Sequence, residues 1–193
     1  MKIACLGDSI TYYGSPGTAF PFPQVLQKLL TVASPGTHLV ANHGVHGDKV
    51  TAGITTRYGT DIKLKGYDAL VFLGGINDVA ADVSAASIES AAQAILDDAR
   101  GRGMTVVIIG MSPFGGDSTD YTAPRETTRQ NVNTSYSNWA ATNSVPFINL
   151  DTQLGDGGSP VKLQSQYAYL DGLHILQPAC DLIAAQIETA LGL

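Results

Sequence analysis

The sequence predicts an α/β fold of three layers, with a parallel five-stranded sheet between two layers of helices. Two observations carry this prediction. Five short apolar runs, at 2–6, 37–41, 69–73, 105–109 and 146–150, alternate with segments whose apolar residues recur at helical spacing. The runs are also nearly continuous in apolar character, which marks strands covered on both faces, as helices on each side of a parallel sheet would cover them. At 193 residues, with no repeat, low-complexity tract or linker, the chain reads as a single domain over 1–193.

In order, residues 2–6 form the first strand, and Gly7-Asp8-Ser9 turns sharply out of it. Residues 10–22 read as a Tyr/Gly/Pro-rich loop. Pro23 suits a first helical turn, and Val25, Leu26, Leu29, Leu30 and Ala33 give the helix its stripe. After the second strand, residues 42–48 form a glycine-punctuated loop, and a helix runs from Val50 to about Lys63. The third strand opens into Gly74-Gly75-Ile76-Asn77-Asp78, read as loop. The clearest helix is 84–100: Ser84 or Ser87 caps it, Ile88, Ala91, Ala92, Ile95, Leu96 and Ala99 line its apolar face, and Gly101-Arg102-Gly103 stops it. Residues 112–121, past the fourth strand, have the Gly/Ser/Asp composition of a mobile loop. Pro124 then starts a helix to about Thr142. A long loop over 151–166 follows the fifth strand, and a last helix runs from about Pro178 to Leu191.

Composition narrows the function. A net charge of −6 opposes nucleic-acid binding, which needs clustered Lys and Arg. No stretch has the length and apolarity of a membrane span. Met1-Lys2 leads straight into a strand instead of a signal peptide, so the chain reads as cytosolic or as a mature form. Cys5 and Cys180, the only cysteines, read as buried free thiols rather than a disulfide.

The chemistry gathers at the carboxyl ends of the strands, where open α/β sheets bind ligands. Ser9 follows the first strand and is the candidate nucleophile; a hydroxyl there needs a base. His174 is the only histidine outside the region of the second strand, and Asp171 lies three residues before it, close enough on a turn to reach its Nδ1–H. A developing oxyanion needs donors, which the Ser9 and Gly47 backbone N–H groups and the Asn77 side-chain amide can supply. Gly44 competes with Gly47 for that role, and the Gly-Asp pairing after Asn42 favours Gly47. The more ordinary readings are that Asp8 caps a turn and that Asp48 and Asp78 hold loop backbone, Asp48 also bracing the Ser9 loop. His43, His46 and Asp48 look superficially like metal ligands, but the further carboxylate and histidine set of a dinuclear site is missing; His46 reads instead as lining the cleft. Tyr12, Tyr13, Phe22 and Phe114 are candidates for a substrate wall, and Trp139 for core.

Four blocks in order, Gly7-Asp8-Ser9-Ile10, Asn42-x-Gly44-x-x-Gly47-Asp48, Gly75-Ile76-Asn77-Asp78 and Asp171-Gly172-Leu173-His174, resemble the SGNH branch of the GDSL hydrolases. The resemblance implies a flavodoxin-like sheet and ester or thioester hydrolysis through an acyl-enzyme, with no cofactor and no metal. It implies Ser9 as nucleophile, His174 as base, Asp171 as its orienter, and Ser9, Gly47 and Asn77 as oxyanion donors. The expected substrate is a small-molecule or carbohydrate ester carrying a short acyl group, acetyl above all. The alternatives are a thioesterase or lysophospholipase, acyl transfer to an alcohol, and a catalytically retired glycan-binding module.

Overall fold

The computed structural model describes residues 1–115 and 117–193. Five parallel strands, β1 (Lys2–Gly7), β2 (Leu39–Gly44), β3 (Ala69–Leu73), β4 (Thr105–Ile109) and β5 (Phe147–Ile148), lie in the order β2-β1-β3-β4-β5. Ile3 pairs with Val40 on one side of β1 and with Ala69 on the other, and Ala69 pairs with Thr105. This is the flavodoxin-like order, whose direction reverses between β1 and β3. The crevice at that reversal lies between the loops that carry Ser9 and Asn77.

Successive β1 residues feed opposite cores. Ile3 and Cys5 pack with Leu26, Leu30, Ile183 and Ile187 on one face, under helices α2 (Phe22–Ala33) and α8 (Gln177–Leu191). Ala4 and Leu6 pack with Ile54, Ile88, Leu96 and Val132 on the other. That second face is covered by three helical segments. The first is a stretch in which α3 (Thr55–Arg57) lies between two π-helical turns (Val50–Ile54 and Tyr58–Ile62); the others are α5 (Ala85–Gly101) and α6 (Ala123–Thr142). Both cysteines are buried and unpaired, and burial pushes their thiols up.

β3 and β4 fall on the expected residues, and of the two candidate caps it is Ser84 that starts α5, its side chain accepting the Ser87 N–H. Four differences have local causes. β2 runs on through Asn42 and His43 to Gly44, which pair in register with Cys5, Leu6 and Gly7; as an edge strand it tolerates polar side chains facing outward. The expected 10–22 loop instead begins inside a helical turn, α1 (Ser9–Tyr12), because the Asp8 carboxylate accepts the Ile10 N–H and caps it. Asn77 lies on a second unforeseen turn, α4 (Ile76–Ala80). β5 ends at Ile148 because the Asn149 side chain accepts the N–H groups of Asp151 and Thr152 and starts α7 (Leu150–Leu154). Residue 116 of the expected 112–121 loop lies outside the described residues.

The aromatic wall needs correction. Phe22 and Phe114 are 0% and 1% exposed and belong to the two cores, because α2 and the loop after β4 turn them inward. Trp139 is half-buried against the core, its indole N–H donating to Asp97. The most polar helix, α6, carries a fully buried Arg129 that donates to Glu126, Asp151 and the Met111 carbonyl. This single guanidinium ties β4's exit to α6 and α7, and truncating it would strand two carboxylates, at a cost of roughly 3–5 kcal/mol.

Candidate active site

Three side chains meet at the carboxyl end of the sheet. Ser9 Oγ lies 2.8 Å from His174 Nε2, and His174 Nδ1 lies 2.7 Å from Asp171 Oδ2. Ser9 is presented by the first turn of α1, directly beyond β1, and is 4% exposed. His174 comes from the segment just before α8, which returns across the sheet; a bridge between Ala168 and Ile175 and the Ile175 N–H donated to Gly14 hold that segment against the Ser9 loop.

The tautomer follows from the partners. An ionised Asp171 can only accept, so Nδ1 carries the imidazole proton and Nε2 is left to accept from the Ser9 hydroxyl. The other Asp171 oxygen, Oδ1, accepts the N–H groups of Leu173 and His174, at 3.0 and 2.9 Å. Burial alone would raise this carboxyl. The two backbone donors and the imidazole outweigh it and hold Asp171 below the usual carboxylate range, so it stays charged at neutral pH.

The two glycines of the second block separate. Gly44 is the last residue of β2, and a Cβ there would stand 2.2 Å from the Tyr12 nitrogen, so its lack of a side chain lets α1 pass over the strand. Gly47 has φ +72 with nothing within 4 Å of a Cβ position, and its N–H meets no acceptor among the described residues. The Ser9 N–H, at the start of α1, is equally unengaged among them. The Asn77 amide donates to the Asp48 carbonyl at 2.9 Å, which spends one of its two N–H bonds on holding the Gly47 loop.

That loop is pinned from two further sides. Asp78, fully buried, accepts the Val50 and Thr51 N–H groups and the Thr51 hydroxyl. Arg57, which no sequence pattern singles out, donates to Asp48 and to the carbonyls of His43 and Gly7. Asp48 thus braces the Ser9 loop through Arg57. His43 pairs with the Tyr67 hydroxyl at 2.7 Å and His46 with the Tyr13 hydroxyl at 3.3 Å, so the residues that superficially suggested a metal point to separate partners.

Asp8 is fully buried. One oxygen accepts the Ile10 N–H, and the other has no partner among the described residues. Burial, reinforced by the charges of Asp78 and Asp48 and only partly offset by backbone donors, pushes its carboxyl up to about 7. The native state therefore holds a proton that the unfolded chain gives up near pH 4, and stability falls as pH rises from about 4 to about 7. Asp8→Asn keeps the acceptor for Ile10 and removes the charge. Its melting temperature relative to wild type is expected to climb between pH 5 and pH 8; a constant offset across that range would refute the raised carboxyl.

The model of the GDSL-like lipase/acylhydrolase family matches residues 5–175, most of the chain. No curated protein sequence matches it. Among solved structures, a GDSL-like lipase from Bacteroides thetaiotaomicron VPI-5482 superposes with a TM-score of 0.77 at 18% identity, covering 99% of this chain and 87% of that one. A G-D-S-L family protein from Desulfitobacterium hafniense DCB-2 gives 0.79 at 16% identity over 98% of both chains. The acetyl xylan esterase AlAXEase gives 0.77 at 18% identity over 99% of this chain and 100% of that one. At these identities the likeness is one of fold.

Proposed function

Because the chain belongs to the GDSL-like lipase/acylhydrolase family, we propose that it is a carboxylic ester hydrolase working through an acyl-Ser9 intermediate and favouring short acyl groups, acetyl above all. The observation that carries this reading is the continuous line of hydrogen bonds from Ser9 Oγ through His174 to Asp171.

In acylation, the Ser9 hydroxyl passes its proton to His174 Nε2 as Oγ bonds to the ester carbonyl carbon. The negative charge that forms on the carbonyl oxygen meets the N–H groups of Ser9 and Gly47 and the second N–H of the Asn77 amide. Such donors act in place, without reorganising, and each is worth roughly 3 kcal/mol of barrier. Asp171 keeps its charge and stabilises the imidazolium without taking the proton. The tetrahedral centre then collapses: the carbon–oxygen bond to the alcohol breaks, and Nε2 returns the proton to the departing oxygen. A water repeats the sequence with Nε2 as base, releasing the acid and restoring Ser9.

Two features support short acyl groups. The aromatic side chains best suited to line a long apolar channel, Phe22 and Phe114, are committed to the cores. The sequence also has no apolar insertion of lid size. The acetyl xylan esterase among the structures of like fold fits a carbohydrate ester as substrate.

A fluorophosphonate probe tests the reading. Folded protein at pH 8 is expected to become labelled at Ser9, located by peptide mass, and preincubation with a short ester should slow that labelling. Folded protein that stays unlabelled would instead indicate a binding module that has lost turnover.

A further inference from the structure

The rings flanking the imidazole extend this reading to the alcohol half of the substrate. In the mechanism above, the departing oxygen must lie within hydrogen-bond reach of His174 Nε2. Whatever alcohol is attached to that oxygen therefore sits beside the His174 ring. Two further rings lie against that ring. The Tyr13 centroid is 5.6 Å from that of His174, with planes tilted by 32°. The His46 centroid is 6.3 Å from that of His174, with planes within 16° of parallel, and 5.8 Å from that of Tyr13. All three separations are those of rings in contact, so the group is a nearly equilateral cluster.

The two added rings come from different elements. Tyr13 is the C-cap of α1, the helix that begins with Ser9, and His46 immediately precedes Gly47. Their hydrogen bond joins the two loops whose backbone N–H groups are the candidate oxyanion donors. A group resting on this pair holds its ester carbonyl next to those donors. His46 is exposed and Tyr13 half-buried, so the pair presents surface to solvent. Burial, with the nearby Asp171 and Tyr169, pushes the Tyr13 phenol up, keeping it a neutral hydroxyl at neutral pH.

We propose that Tyr13 and His46 form the subsite for the leaving alcohol, a two-ring platform that takes the pyranose ring of an acetylated sugar. Such a ring offers a face of C–H groups to stack on an aromatic surface and a rim of hydroxyls to hydrogen-bond. The platform matches both, with ring faces for the C–H groups and His46 Nε2, the ring nitrogen that Tyr13 does not engage, for the rim. Once the alcohol departs, only the acyl group remains, bonded to Ser9, so the platform acts on acylation alone.

The proposal rests on the esterase reading, and its test separates the two. The quantities to measure are kcat/KM for a mono-acetylated methyl xylopyranoside and for ethyl acetate, in wild type, His46→Ala, Tyr13→Ala and Tyr13→Phe. The ratio of sugar ester to ethyl acetate is expected to fall roughly tenfold or more in the two alanine variants. Tyr13→Phe keeps the ring and should hold the ratio within about threefold of wild type. The ratio of ethyl acetate to ethyl butyrate should stay as in wild type throughout. If Tyr13→Ala fails to fold, the His46→Ala result, made at an exposed side chain, decides. Equal losses on both esters would make the pair a brace for the loops, and a shift in the acetate-to-butyrate ratio would place it on the acyl side; either overturns the platform. A wild type that binds fluorophosphonate and hydrolyses ethyl acetate but shows an unmoved ratio in the variants defeats the platform alone. A wild type inert to every ester and to the probe defeats both.

Discussion

Ser9→Ala is expected to fold as wild type and to lose about 10⁴–10⁶-fold in hydrolysis of p-nitrophenyl acetate. The loss is large because, in the proposed mechanism, His174 and Asp171 act through this one oxygen: without Oγ there is nothing for Nε2 to deprotonate and no atom to carry the acyl group. The fold survives because the element bearing Ser9 does not depend on its hydroxyl. α1 is capped by Asp8, Gly7 pairs with Gly44 in the sheet, and Arg57 holds the Gly7 carbonyl. Circular dichroism and a melting curve check the fold, and initial rates check the chemistry. A Ser9→Ala variant that keeps a tenth of the wild-type rate would remove Ser9 from the mechanism.

Asp171→Asn is expected to cost about 10³–10⁴-fold in kcat/KM at neutral pH with little change in structure. The reason lies in how the carboxylate is held. Oδ1 already accepts two backbone N–H groups, from Leu173 and His174. An asparagine must place its carbonyl oxygen there, which turns its NH2 toward His174 Nδ1. Nδ1 then accepts, the imidazole proton moves to Nε2, and Nε2 points a donor at Ser9 instead of a lone pair. The base is present, correctly placed and in the wrong tautomer. The rates of the purified variant on p-nitrophenyl acetate check this, and activity within tenfold of wild type would show that Asp171 orients nothing.

Both variants depend on a convergence between residues 165 positions apart, and the sequence carried only its parts. The spacing of Asp171 and His174 is local, and a turn can be expected to bring the two together. The distance from Ser9 to His174 is not local; it is set by how α8 packs back along the sheet against α2. The same division separates the two glycines. Both lie in one short block, and only the passage of α1 over Gly44, with Gly47 left open, distinguishes them. Arg57 was illegible for a related reason. In sequence it is one cation in an irregular helical stretch, and its work consists of reaching two strands and a loop at once.

Local pattern was sufficient to establish the layered α/β architecture, the bounds of β3 and β4 and the four motif blocks. Apolar continuity, helical period and glycine punctuation are properties of neighbouring residues, and they survive folding unchanged. Folding in three dimensions settled which aromatic side chains enter the cores and which stand beside His174, how Asp48 reaches the Ser9 loop, and why Asp8 keeps its proton to about pH 7. Each of these depends on which groups lose water and which distant partners arrive to replace it, and desolvation is a property of the packed molecule that no stretch of chain possesses alone.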